Sequence, residues 1–166
     1  MPIPVSTDLI QQVKEDLGLA SADGLRRARV ETAIRFYARC VGMDSPKDIS
    51  SHVQGIDLSS PVEAIDLVAG TELAAYRFNP QRRIGRLDPF GLYFTDVGNS
   101  MYSLGINWDD RRFVRYVVDF RVPALRSRAK TGFVPGFGAV YGGAVQYVVP
   151  RASQHLRVVH IQNTQT

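Results

Sequence analysis

The stretch from Thr131 to Pro150, Thr-Gly-Phe-Val-Pro-Gly-Phe-Gly-Ala-Val-Tyr-Gly-Gly-Ala-Val-Gln-Tyr-Val-Val-Pro, constrains this chain more than any other. Five glycines and four aromatics crowd into twenty residues, and the composition then changes abruptly to the apolar run 144–149. Glycine gives up more ordering entropy than any other residue, so it is used where the backbone takes positive φ or passes close to something. A Gly-rich loop feeding a buried strand is a common way to build the wall of a nucleotide pocket. The plainer reading is a turn followed by a strand whose one polar residue, Gln146, faces solvent.

At 166 residues the chain fits one domain, long enough to bury a sizeable core. With 45% hydrophobic and 22% charged residues its composition is that of a globular protein and excludes a disordered one. No run of about 18 apolar residues exists, so no membrane span is expected. The start, Met-Pro-Ile-Pro-Val-Ser-Thr-Asp, lacks the basic and apolar segments of a signal peptide. The single cysteine, Cys40, excludes an internal disulfide and reads as a small core residue. Charge is unevenly placed. Residues 1–83 carry ten Lys/Arg against eleven Asp/Glu, a net of −1, and residues 84–166 carry ten against five, a net of +5. A basic half points to an anionic ligand or an acidic protein partner. No Lys/Arg run is dense enough to argue for nucleic acid. The last glutamate is Glu72, so the C-terminal half has aspartates only.

Helical patterning opens the chain. Thr7 or Asp8 caps a first helix with the apolar stripe Leu9, Ile10, Val13 and Leu17. Ser21 or Asp23 caps a second, with Leu25, Ala28, Thr32, Ala33, Phe36 and Cys40 on one face and arginines over the rest. Gly42 ends it, and a short third helix covers 46–53. After Gly55-Ile-Asp-Leu-Ser-Ser-Pro61 the pattern turns to strands at 63–68, 73–78, 91–96, 112–122 and 156–161. Pro123 closes the fourth of these, Arg126, Arg128 and Lys130 form a basic loop, 79–90 is a long polar loop, and 100–104 a helical turn. Helices first and strands later give an α+β class: one domain, 1–166, with a helical N-terminal region over 1–54 and a β-rich core over 55–166.

Metal chemistry is not indicated, because His52, His155 and His160 have no ligand spacing. No Gly-x-Ser-x-Gly elbow, dinucleotide fingerprint or P-loop is present. What remains is a set of polar residues on short strands among aromatics: Arg77, Thr95 and Gln146, with Tyr76, Tyr93, Phe94 and Tyr147 close in sequence. Arginine holds a pyrophosphate by paired hydrogen bonds, aromatics sandwich a flat ring, and glutamine fixes an amide or a ribose hydroxyl through donor and acceptor together.

Gly142-Gly-Ala-Val-Gln-Tyr-Val-Val-Pro150 resembles the Gly-Gly-Gly-x-Gln-Tyr-x-x-Pro segment of the tuberculosis necrotizing toxin family, and Phe133-Val-Pro-Gly-Phe-Gly is similar to its apolar lead-in. Arg86-Leu-Asp-Pro-Phe-Gly-Leu-Tyr-Phe-Thr is similar to that family's Gly-rich strand. Gly55-Ile-Asp-Leu-Ser-Ser-Pro-Val with Gly70-Thr resembles NAD-hydrolysing toxin domains of type VI secretion effectors. The resemblance spans 55–150. It implies an NAD(P)+ glycohydrolase on an ADP-ribosyltransferase-like split sheet, with NAD+ or NADP+ as substrate and no cofactor. It gives Gln146 the catalytic glutamine's place, Thr95 a place in the nicotinamide-ribose wall, and Arg77 the position that contacts phosphate or ribose. Tyr76, Tyr93, Phe94, Gly142, Gly143 and Tyr147 would complete the substrate-binding walls. The family also uses a histidine on the strand that here runs 112–122. This chain has Val114, Arg115 and Tyr116 there, so Arg115 or Tyr116 substitutes or the role is absent.

ADP-ribosyltransferases carry a late-strand glutamate that activates the acceptor; with none in the C-terminal half, hydrolysis is the expected outcome. The alternatives are an ADP-ribosyltransferase using Asp96 or Asp119, a non-enzymatic module whose basic half docks an acidic partner, and an RNase using His155 with His160. A toxin of this kind implies delivery within a larger secreted effector, type VI-like, action in the target-cell cytoplasm, and an acidic immunity protein over the Gly-rich pocket.

Overall fold

The computed structural model describes residues 5–78, 91–98, 111–130, 132–134 and 139–163; the side chains of Arg77, Phe78, Arg111, Asn163, 132–134 and 139–141 lie outside that description. The expected 79–90 loop and the 100–104 turn fall outside it as well.

Three helices open the chain: α1 (Thr7–Asp16), α2 (Gly24–Phe36) and α3 (Pro46–Val53). Ser6, one residue earlier than expected, caps α1: its Oγ accepts from the Asp8 and Leu9 amides at 3.1 and 3.4 Å. The buried face of α2 is also rotated from the expected one. Val30, Ala33, Ile34, Phe36 and Tyr37 are buried, whereas Leu25 is 70% exposed. The stripe 30, 33, 34, 37 is the better helical repeat, and a π-helical turn over Tyr37–Val41 shifts the phase and leaves Cys40 half-buried. Ser45 caps α3 and Pro46 fills its first turn, where a missing N–H is harmless.

Among the described residues nine strands follow: β1 (Glu63–Leu67), β2 (Glu72–Phe78), β3 (Tyr93–Thr95), β4 (Arg111–Val118), β5 (Val122–Arg128), β6 (Gly132–Val134), β7 (Ala139–Tyr141), β8 (Val145–Val148) and β9 (Leu156–Asn163), with a short helix α4 (Ala152–His155) before β9. Seven form one antiparallel sheet in the order β1-β5-β8-β3-β2-β4-β9, and β6 pairs with β7 as a hairpin. The class is α+β. Among the described residues the large sheet narrows to a waist between β2 and β3, which share the pair Ala74↔Thr95, while β2 and β4 share seven.

Two expectations are corrected here. The strand expected over 112–122 breaks at Asp119, because the amides of Asp119 and Phe120 both turn to the carbonyl of His155 at 2.8 and 3.1 Å. The basic 126–130 loop is largely strand: in β5 the arginines 126 and 128 alternate with buried Leu125 and Ser127. Pro123 is tolerated near the start of β5, before its pairing with β8 begins at Leu125.

The sheet separates two cores. On one face Val30, Ile34, Tyr37 and Ile49 of the helices pack on Leu125 and Val148. On the other, Phe94, Tyr116, Val118, Val122 and Tyr147 form a second core with α4. Tyr93 fastens the helices to the sheet: its hydroxyl meets that of Tyr37 at 2.9 Å and also Nδ1 of His52. Burial pushes both phenols up, so each keeps its proton. A chain running Tyr37 to Tyr93 to a neutral His52 satisfies all three groups. Burial also holds the His52 imidazole below its ordinary 6.5, with Asp48 opposing weakly. The unfolded chain therefore takes up this proton first as pH falls. Stability is expected to decline as pH drops below about 6.5 and to be recovered above it. In His52→Gln that component of the slope disappears, which denaturant titrations at pH 5.5 and 7.5 measure. Protonation would also reverse the chain and leave the Tyr37 hydroxyl, fully buried, without an acceptor among the described residues.

Candidate active site

Directly opposed residues of an antiparallel pair place their side chains on the same face. The registers Ser127↔Gln146, Thr95↔Gln146, Ala74↔Thr95, Ala74↔Arg115 and Arg115↔His160 therefore compose one row running across six strands on the helix-bearing face. It lies one step along from Leu125, Val148 and Tyr93, where the helices sit. Strand spacing puts the Cα atoms of Gln146 and Arg115 about 14 Å apart, three strands away. Between them stand two small buried residues, Thr95 and Ala74.

Gln146 is half-buried, and its Nε2 donates to Ser127 Oγ at 3.3 Å. Thr95 is fixed by donating Oγ1–H to the Val145 carbonyl at 2.7 Å, which ties β3 to the strand that carries Gln146. Arg115 reaches Glu72 Oε2 at 3.5 Å, and its Nε is buried with no partner among the described residues. A guanidinium held by one long, exposed contact keeps donors in hand for an anion. Beside this row, Tyr76 opposes Phe113 with ring centroids 5.4 Å apart, and burial raises the Tyr76 hydroxyl above its usual value.

The glycines do what the sequence suggests. Gly142 and Gly143 lie at φ 101° and 90°, a region that disfavours any residue with a Cβ. Gly143 then donates its amide to Ala129 at 2.8 Å and accepts from Arg128 Nη1 at 2.9 Å, which locks the entry to β8. Gly143→Ala is expected to cost about 1–2 kcal/mol. In a domain of this size that lowers Tm by roughly 2–8 °C, which calorimetry reads directly.

Not every candidate joins the row. Phe94 and Tyr147 face the opposite core: Phe94 stands edge-on to Tyr116 at 4.9 Å, and the Tyr147 hydroxyl donates to Asp96 at 3.0 Å. Tyr93 spends its hydroxyl on Tyr37 and His52. Arg77 pairs with Arg112 across β4, its side chain outside the described residues. Asp119 is bound to Arg157 at 3.3 Å, away from the row. Sequence reasoning misses two members. Ser127 falls in the expected basic loop, and Glu72 opens the strand that carries the expected Tyr76 and Arg77 without being among the expected site residues itself. The sheet interleaves the two halves, so Glu72 comes to lie beside Arg115 on the same face. The alternation of buried and charged residues over 122–128 is the signal that could have found Ser127.

No family model and no curated protein matches the chain. Among solved structures, a chain in the structure of Tse6 in complex with Tsi6 aligns with TM-score 0.66 at 23% identity, over 83% of this chain and 98% of that one. A chain in the structure of Rhs1-CT in complex with cognate immunity protein RhsI1 gives a looser likeness, TM-score 0.48 at 15% identity, over 66% and 84%. The first likeness shows a shared fold that takes in nearly all of its neighbour. Among the described residues no helix is long and apolar enough to cross a membrane.

Proposed function

We propose that this is the catalytic domain of an interbacterial toxin that hydrolyses the nicotinamide–ribose bond of NAD+ or NADP+, releasing nicotinamide and ADP-ribose or its phosphate. The observation that carries the reading is the row Gln146, Thr95, Ala74, Arg115, which sets an amide and an under-used guanidinium on one face at matched register. Gln146 has donor and acceptor to grip a ribose hydroxyl but cannot take a proton. It would orient the sugar as nicotinamide departs through an oxocarbenium-like state, with water as the acceptor. Arg115 would hold the phosphates at the far end, exchanging Glu72 for the substrate's charge. The Gly142-Gly-x-x-Gln-Tyr motif and a fold shared with a chain of the Tse6–Tsi6 complex support the same reading.

One observation favours ADP-ribosyl transfer as a second reading: Glu72 supplies a carboxylate on the face of the row. Asp96 and Asp119 do not, being engaged with Tyr147 and Arg157. The two readings separate by product. Incubated with NAD+ and separately with NADP+, and with no added protein, the domain is expected to release nicotinamide and free ADP-ribose. Label retained on an added macromolecular acceptor would favour transfer, and no release from either dinucleotide at high enzyme would sink hydrolysis. Delivery within a larger secreted effector, action in the target-cell cytoplasm and a cognate acidic immunity protein complete the proposal. The last follows from the net +5 of residues 84–166.

A further inference from the structure

A cavity of about 200 Å³ opens in the helical layer and shares no residue with the Gln146 row. Its walls are Leu17 and Leu19 from the α1–α2 connection, Val53 at the end of α3, and Ile56 and Leu58 from the segment leading to β1. These walls are fixed. Ile56 bridges to Ala129, the Asp57 amide donates to the Arg128 carbonyl at 3.0 Å, and Arg29 Nη1 pins the Leu58 carbonyl at 3.1 Å. Arg26 and Lys130 stand in the same lining, and among the described residues neither has an anionic partner. Asp57 is there too, but its carboxylate is already spent. Oδ1 accepts from the amide and hydroxyl of Ser59 at 3.0 and 2.5 Å, and Oδ2 from Ser60 Oγ at 3.0 Å. Those bonds, led by the Ser59 hydroxyl, hold the carboxyl below its usual range. Two cations against one internally satisfied carboxylate leave the lining net positive.

An apolar cavity of about 150 Å³ takes a benzene-sized group, so this one accommodates a branched aliphatic or small aromatic group. We infer that the cavity is a second binding site, for a short apolar chain ending in a carboxylate: the apolar end fills the space between Leu19, Ile56 and Leu58, and the carboxylate meets Arg26 and Lys130. That chemistry is shared by a free branched-chain acid and by the C-terminus of a partner protein ending in leucine. The site stands whether or not the domain acts on NAD+.

NMR titration of the isotopically labelled full chain tests it with four probes: 4-methylpentanoate, 4-methylpentanol, acetyl-Ala-Leu with a free carboxylate, and its C-terminal amide. The two acids are expected to shift the methyl signals of Leu17, Leu19, Val53, Ile56 and Leu58 saturably, with apparent affinity about fivefold or more above their uncharged counterparts. Arg26→Ala with Lys130→Ala, both exposed and so harmless to folding, is expected to erase that preference. A peptide bound more tightly than the free acid identifies a protein terminus as the source, and the reverse order a small carboxylate. Equal binding of acid and alcohol, shifts that map elsewhere, or no saturable shift overturns the inference.

Discussion

Under the proposed hydrolysis, Gln146→Ala is expected to lower nicotinamide release by about 10²- to 10³-fold, the usual cost of removing one preorganised group that acts on a departing bond. The fold should survive the change. Gln146 is half-buried, and its amide is tethered through the 3.3 Å contact with Ser127. Truncation loses about 1 kcal/mol of hydrogen bonding and leaves the Ser127 hydroxyl, 1% exposed, to find another partner. Tm should therefore move by only a few degrees. The diagnostic comparison is Ser127→Ala. It keeps the glutamine amide and loses only its tether, so release should fall far less than in Gln146→Ala. Measured together with NAD+ saturation curves, the pair separates two roles. If Ser127 orients the amide, its loss raises KM more than it lowers kcat; if Gln146 acts on the bond itself, its loss falls mainly on kcat. Wild-type release by Gln146→Ala would place the chemistry elsewhere on the molecule.

Much of this is legible in the residues, and what is not has physical causes. The α+β order, the α3 boundaries and the β2 and β9 strands follow from capping, proline placement and period-two alternation, all local properties. The phase of α2 is harder to see, because Leu25 and Ala28 look like core residues until tertiary contact decides: the helix rotates so that Tyr37 can reach Tyr93, fifty-six residues away in sequence. The continuous strand over 112–122 fails for a similar reason. Nothing in Asp119-Phe-Arg reveals that the His155 carbonyl will capture two of its amides. The candidate site divides along the same line. Gln146 and the positive-φ glycines are visible because a motif and a backbone requirement are written locally. The pairing of Arg115 with Glu72 is not, since it depends on strand order, and strand order is not a property of any one segment.

That dependence on strand order makes Phe94 the side chain whose loss should damage the structure most. It sits at the centre of β3, a strand of three residues that meets β2 at the pair Ala74↔Thr95, the one register pair between them among the described residues. Its ring is 2% exposed and packs edge-on against Tyr116 of β4, on the far side of the waist. The aromatic contact therefore adds cohesion across the second core to the backbone pairing of β2 with β3. Phe94→Ala is expected to cost about 3–5 kcal/mol, with Tm falling on the order of 10 °C. Phe94→Leu, which refills most of the volume without the edge-on contact, should recover over half of that. The control is Phe120→Ala, which deletes the same ring from a turn where it is 67% exposed and should change stability by no more than about 0.5 kcal/mol. Activity adds a second readout. Thr95 follows Phe94 directly and lies between Gln146 and Ala74, so loosening the waist disturbs the row before the chain unfolds. Nicotinamide release by Phe94→Ala should then fail at temperatures well below its Tm, while in Phe120→Ala the two should track the parent. If Phe94→Ala and Phe120→Ala lower Tm equally, the sheet is not held at its waist by this ring.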